Sequence, residues 1–150
     1  MYAWMKQIAT SKPVIVTSYE TPTEAPNFFL RDLGSEKARA LTTFADPQPA
    51  LRGVKQELVK YERADGVALS ATLYLPPEWK PGTRLPLFVW AYPLEYTDAA
   101  TAGQVSGSPN RFVRVRGPSQ LLFALHGWAV LDNAAMPIVG DPETMNDTFL

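Results

Sequence analysis

Few side chains in this sequence can carry covalent or acid–base chemistry, and their spacing limits what that chemistry could be. There is no cysteine, and His126 is the sole histidine. A thiol nucleophile, a disulfide framework, Cys-ligated zinc, iron–sulfur clusters and any His-rich metal site are therefore excluded. An activated serine usually occupies G-x-S-x-G, a strained strand-to-helix elbow that exposes its hydroxyl. The two nearest tracts fail: Gly103-Gln104-Val105-Ser106-Gly107 sets the serine one position late, and Gly117-Pro118-Ser119-Gln120-Leu121 lacks the final glycine. Phosphate loops of the GxxxxGK[ST] type, dinucleotide fingerprints and HExxH are also missing, so nucleotide and zinc-protease chemistry lose their usual carriers.

The remaining polar residues have plain readings. His126 follows an apolar stretch and precedes Gly127, where the dipole of a helix C-terminus favours a cation. Asp132, Asp141, Glu143 and Asp147 lie among Pro and Gly, which fits solvated loops better than a metal cluster, and no metal or other cofactor is expected. Arg111, Arg114 and Arg116 could grip a carboxylate through paired N–H donors, although exposed arginines are more often only solvated. Trp79, Trp90 and Trp128 read as core anchors.

Strands must position these groups. Val14–Ser18, Phe28–Arg31 and Lys37–Thr42 are short strand candidates separated by turn-rich pieces, the spacing of an antiparallel meander. Phe44–Gly53 holds two prolines and a glycine among small and polar residues and reads as a linker. Beyond it, Val67, Leu69, Ala71, Leu73 and Leu75 alternate with Ser70 and Thr72, which predicts a strand with one buried and one wetted face. Asp65-Gly66 should turn that strand back on Leu58–Arg63 in a tight hairpin. Leu87–Tyr92 is unbroken apolar sequence, as in a central strand covered on both faces. Pro118–His126 predicts a short helix stopped by Gly127, with Leu121, Leu122 and Leu125 on one side, and Trp128–Leu131 another buried strand. Strand, helix and buried strand in that order call for a parallel crossover, so the second half reads as the start of an α/β domain.

Composition agrees with many short elements. Fourteen prolines in 150 residues argue against a helical bundle. A net charge of −1 gives no global field toward nucleic acid or anionic lipid, so neither nucleic acid nor a membrane is expected as a partner. No run reaches the ~18–20 apolar residues of a spanning helix, and the N-terminus lacks the apolar core of a secretory signal. The first residues enter a strand-like run without a cap or leader, so the start reads as a cut edge; the compartment is left open.

Several tracts taken together carry a resemblance. YERADGVALSATLYLPPEW (61–79), LPLFVWAYPLEY (85–96), GQVSGSPNRF (103–112) and LHGWAVLDNAAMPIVG (125–140) resemble the opening of the catalytic domain of prolyl-oligopeptidase-family serine peptidases, nearest the glutamyl-endopeptidase-like subgroup. PNFFLRDLGSEKARALTTFADPQPALRG (26–53) is similar to the end of that family's β-propeller. The resemblance implies that residues 1–53 are the last propeller strands with a linker, and that residues 54–150 open an α/β-hydrolase domain: an antiparallel hairpin, then parallel strands. It implies a parent that hydrolyses peptides by a Ser-His-Asp triad, the resembled subgroup preferring an acidic side chain. In that family the base follows the nucleophile, which puts His126 in the wrong order, and the triad has no counterpart here. The piece alone is expected to be inactive. Tyr92 matches the family's oxyanion-hole tyrosine at the end of the third strand; its plain reading is a core tyrosine whose hydroxyl reaches water. The arginine trio would meet the acidic substrate side chain. Two other readings share many of these features: a non-catalytic β-rich binding module, and an acyl-peptide hydrolase or esterase of the same fold.

Overall fold

A computed structural model of the chain describes residues 5–7, 14–105 and 107–147. Contacts divide it into two compact units, residues 1–52 with 110–114, and residues 53–109 with 115–150. The first is a four-stranded antiparallel sheet in chain order: β1 (Met5–Gln7), β2 (Val14–Tyr19), β3 (Asn27–Asp32) and β4 (Ala38–Ala40). The three expected strands pair as a meander, and β1 extends it. Asn27 holds the exit of the sheet, its Oδ1 accepting from Thr42 Oγ1 at 2.9 Å and from the Phe44 N–H at 2.7 Å.

The stretch read as a linker is anchored. It ends in a 3₁₀ turn, Pro49–Gly53, whose Leu51 is buried. Arg52 joins it to two distant segments, donating from Nη1 to Pro22 O at 2.7 Å and from Nη2 to Val113 O. Its guanidinium lies 3.9 Å from the centre of the Phe112 ring. Nε lies 2.7 Å from Asp46 Oδ2, close enough for an ion pair but off the line of a hydrogen bond.

The second unit is a mixed sheet of β5 (Lys55–Glu62), β6 (Ala68–Leu75), β7 (Leu87–Tyr96) and β8 (Ala129–Val139), in the order β5-β6-β8-β7. The hairpin forms as its sequence pattern requires, Lys55 to Glu62 pairing with Leu75 to Ala68. Its connection is one residue longer than a two-residue turn. Arg63 N–H bonds Val67 O, and Gly66 N–H bonds Arg63 O, enclosing Ala64–Gly66. Gly66 takes a φ of 85°, the left-handed residue that closes a three-residue hairpin loop.

A fork stiffens this loop. Arg63 donates from Nε and Nη2 to the two oxygens of Asp65, each at 2.8 Å, and from Nη1 to Pro137 O at 2.6 Å. The Arg63 hydrogen bonds hold the exposed Asp65 carboxyl down to about 2. Because the folded value is depressed, any stabilisation from this pair is present above the ordinary carboxyl range and is lost as pH falls through about 2. In Arg63→Ala the Asp65 carboxyl should titrate near its ordinary ~4, read by carbonyl NMR titration; an unchanged titration would show that the fork is not the cause.

Three expectations about this unit need correction. Ser70 and Thr72 are not on a wetted face: they are 7% and 9% exposed, so β6 is buried on both sides. Period two reports polarity along a strand, and here another segment covers the polar side. The cover includes α1 (Ala99–Ala102) and the residues after it, since a Cβ on Gly103 would sit 3.3 Å from Ala68 Cβ. Asp98 caps α1, accepting from Thr101 N–H and Oγ1 at 2.8 Å, and these bonds lower its pKa. Ala102 packs with Val67 and Leu69 in the core, flanked by Tyr96, Ala135 and Val139.

Second, β7 is an edge strand, because the crossover returns β8 into the space between β6 and β7. Leu87, Val89, Trp90 and Leu94 are about half exposed, at 52%, 51%, 50% and 52%. An apolar run states that cover is favourable without supplying it. The tryptophans follow suit: Trp90 and Trp128 are exposed, and Trp79 is half-buried with its Nε1 donating to Thr83 O at 3.1 Å.

Third, Gln120–His126 forms a 3₁₀ rather than an α-helix. Its period of three buries Leu121 and Ala124 and turns Leu122 outward, whereas an α-helical stripe would have kept Leu121, Leu122 and Leu125 together. Ser119 caps it, and Gly127 ends it at a φ of 84°. Phe123 stacks on Phe88 with ring centres 4.8 Å apart. The expected parallel pair is present: β7 runs parallel to β8, whose Val130 is fully buried. Among the described residues no helix is long and apolar enough to cross a membrane.

Candidate active-site segment

The register of β7 and β8 sets the geometry around Tyr92. Val89 faces Leu131 and Ala91 faces Ala134, so Trp90 alone opposes Asp132 and Asn133. This is a bulge on β8, and Asn133 takes the left-handed backbone, with a φ of 50°. Asparagine is among the few non-glycine residues that enter that region readily. Gln120 Nε2 donates to Asp132 Oδ1, and Asn133 Nδ2 donates to Asp132 Oδ2 at 3.2 Å, bracing the bulge from the side chains.

Tyr92 lies two residues beyond the bulge position on β7, paired with Ala135 and 72% exposed. It is therefore not a core tyrosine. Nor does it end its strand, since pairing continues to Tyr96 opposite Val139. Its ring borders a cleft of about 170 Å³ whose polar lining includes Ser70, Gln104 and Asn133, with Trp90 as an apolar wall. Sequence reading missed Ser70, Gln104 and Asn133 as neighbours of Tyr92. Only Asn133 left a signal, an Asp-Asn pair closely following the buried Ala129 and Val130, where a bulge can be accommodated. By contrast, the Tyr74 hydroxyl on β6 is pushed up to about 12, first by burial and then by the charge of Asp132, and stays protonated.

The other candidates are dispersed. Arg111 and Arg114 belong to the first unit and Arg116 to the second, and all three are exposed. His126 is the exposed last residue of the 3₁₀ helix. Asp141 serves its own loop, its carboxylate accepting from the Glu143 N–H at 2.9 Å, while Glu143 and Asp147 are exposed. Ser106 lies outside the described residues. Among the described residues no three His, Asp or Glu side chains are grouped to hold a metal.

No protein-family profile matches the chain. It is 39% identical over 147 residues to a probable chloroplastic glutamyl endopeptidase of Oryza sativa subsp. japonica, covering 96% of this chain and 16% of that protein. It is likewise 39% identical over 139 residues to a probable chloroplastic glutamyl endopeptidase of Arabidopsis thaliana, covering 91% of this chain and 14% of that protein. Among solved structures, the AtxE2 isopeptidase superposes with a TM-score of 0.53 at 21% identity, covering 88% of this chain and 18% of its own. Dipeptidyl peptidase 4 of Porphyromonas gingivalis gives a TM-score of 0.52 at 14% identity, covering 81% and 17%. The structural likeness concerns the fold, mixed sheets with few helices. The alignments run over 96% and 91% of this chain, which makes it a homologue of these proteins named probable glutamyl endopeptidase, of whose length it spans 14–16%.

Proposed function

We propose that this chain is part of a serine peptidase, joining the last strands of a β-propeller (residues 1–53) to the first strands of an α/β-hydrolase catalytic domain (residues 54–150). The observation that carries the reading is the sheet of the second unit, an antiparallel hairpin followed by a parallel pair in the order β5-β6-β8-β7. In the parent a serine attacks the scissile carbonyl, a histidine accepts its proton and an acid orients the histidine. Tyr92 donates its hydroxyl to the oxygen of the tetrahedral intermediate. An exposed tyrosine bordering a cleft whose mainly apolar lining includes Ser70, Gln104 and Asn133 supports that role. The substrate is a peptide with an acidic side chain at the site of cleavage. The relatives' name, glutamyl endopeptidase, supports that preference.

The 150 residues hold no G-x-S-x-G, so alone they should be inactive. Fluorophosphonate should leave the chain unlabelled, and the coding DNA downstream of codon 150 should encode G-x-S-x-G in frame within roughly a hundred residues. Labelling of the 150-residue chain would overturn the inactivity, and a frame without the elbow would favour a non-catalytic binding module. A substrate panel on the longer protein separates an endopeptidase from an acyl-peptide hydrolase or esterase.

A further inference from the structure

The two edges of the second unit's sheet are built differently. β5 presents Lys55, Glu57, Lys60 and Glu62, the kind of charges that keep a free edge from pairing. β7 pairs with β8 alone among the described residues, and Glu95 is the one charge in its ten residues. An apolar, half-exposed edge of this kind is a template for another strand.

Its hydrogen bonds show which groups it offers. Pro86 O accepts from the Ala129 N–H at 2.9 Å and Tyr96 O from the Gly140 N–H at 3.1 Å, so the even-numbered residues of β7 turn their backbone groups to β8. The odd-numbered residues therefore turn theirs to the open edge. Pro93 is one of these, and its missing N–H falls on the outer side, where a strand tolerates proline. Leu87, Val89 and Ala91 offer both a donor and an acceptor, and the row of donors is interrupted at Pro93.

We propose that β7 is the contact surface of a symmetric dimer, in which the β7 edges of two copies pair antiparallel with Val89 on the twofold axis. In that register Leu87, Val89 and Ala91 exchange backbone hydrogen bonds with Ala91, Val89 and Leu87 of the second copy, and Pro93 lies beyond the start of the facing strand. Centring the pair on Ala91 would instead set Pro93 against Val89 and lose a donor at each end. Side chains fit the same register. Leu87 meets the smaller Ala91 on one face, and Phe88 meets Trp90 on the other, an aromatic cross-strand pair. Glu95 comes beside Thr83 and the exposed Arg84 of the second copy, whereas an in-register parallel pair would bring Glu95 against Glu95. The contact uses β7 of both copies and so closes at two. It stands on the strand edge alone and does not depend on the proposed catalytic role.

The test uses the 150-residue chain. One strand pair is a small contact, so sedimentation velocity should show a monomer–dimer equilibrium at roughly 10–100 μM chain. The chain has no cysteine, so a single introduced thiol reports the register. Val89→Cys should oxidise to a covalent dimer, its Cα within the ~4–7 Å of its copy that a disulfide spans. Glu95→Cys should not, being about 40 Å from its copy at ~3.3 Å per residue. Val89→Lys should return the monomer. If Val89→Lys disturbs folding, the charges decide: Glu95→Lys should weaken association, and adding Arg84→Glu should restore it. A monomer throughout that concentration range overturns the proposal, as do open-ended aggregates, a dimer that survives Val89→Lys, or one that cross-links through position 95.

Discussion

Tyr92→Phe, made in a peptidase that carries this segment, is expected to lower kcat by about 10²–10³-fold while KM changes by less than about twofold. The substitution removes one oxygen and keeps the ring. Because Tyr92 is 72% exposed, its hydroxyl is not needed to satisfy a buried group, and the fold should tolerate the loss. An oxyanion donor acts on charge that develops only in the transition state, so its removal appears in kcat and not in substrate affinity. The pH profile should keep its shape, since the acid and base are untouched. Equal kcat for the two proteins would reduce Tyr92 to an exposed strand residue. A rise in KM alone would make it a binding contact.

Arg52→Ala is expected to destabilise the protein by about 2–3 kcal/mol, at the lower side of the cost of breaking a buried ion pair because the pair is not wholly shielded. The side chains of Arg52 and Asp46 are 19% and 22% exposed. Truncation strands the Asp46 carboxylate, releases Pro22 O and Val113 O, and uncovers Phe112. Melting should shift down by roughly 5–10 °C for a chain of this size. Arg52→Lys keeps the charge but not the planar fork, and should recover only part of the loss. If Arg52→Ala melted with the wild type, the clamp would carry no net stability.

How much of this could be read from residues depended on the range of the interaction. The hairpin of β5 and β6 was legible because alternation and a glycine turn act within about twenty residues. The meander of β2 to β4 was legible for the same reason. The 3₁₀ helix was located correctly but mistyped, since Leu121, Leu122 and Leu125 satisfy an α-helical stripe while packing selects the spacing of Leu121 and Ala124. The tract VWAYP marks Tyr92 as a candidate, and nothing local marks its neighbours, because Ser70 and Asn133 are brought to it across three strands. Trp90 and Trp128 were read as core because large apolar rings usually are; the order of the strands left them outside.

The sequence by itself determined the hairpin of β5 and β6, the meander of β2 to β4, the parallel return of the chain after β7, the absence of a thiol, a His-rich metal site and a nucleophile elbow, and the likeness to glutamyl endopeptidases. These follow from local sterics, side-chain periodicity and residue identity. Only the tertiary structure decided that β8 enters between β6 and β7, that Ser70 and Thr72 are covered, that the Asp132–Asn133 bulge forms opposite Trp90, and that Arg52 binds carbonyls 30 and 61 residues away in sequence. The physical reason is the same in each case. Burial and hydrogen-bond partners belong to whichever segment packs alongside, and no local pattern in the chain specifies its neighbour.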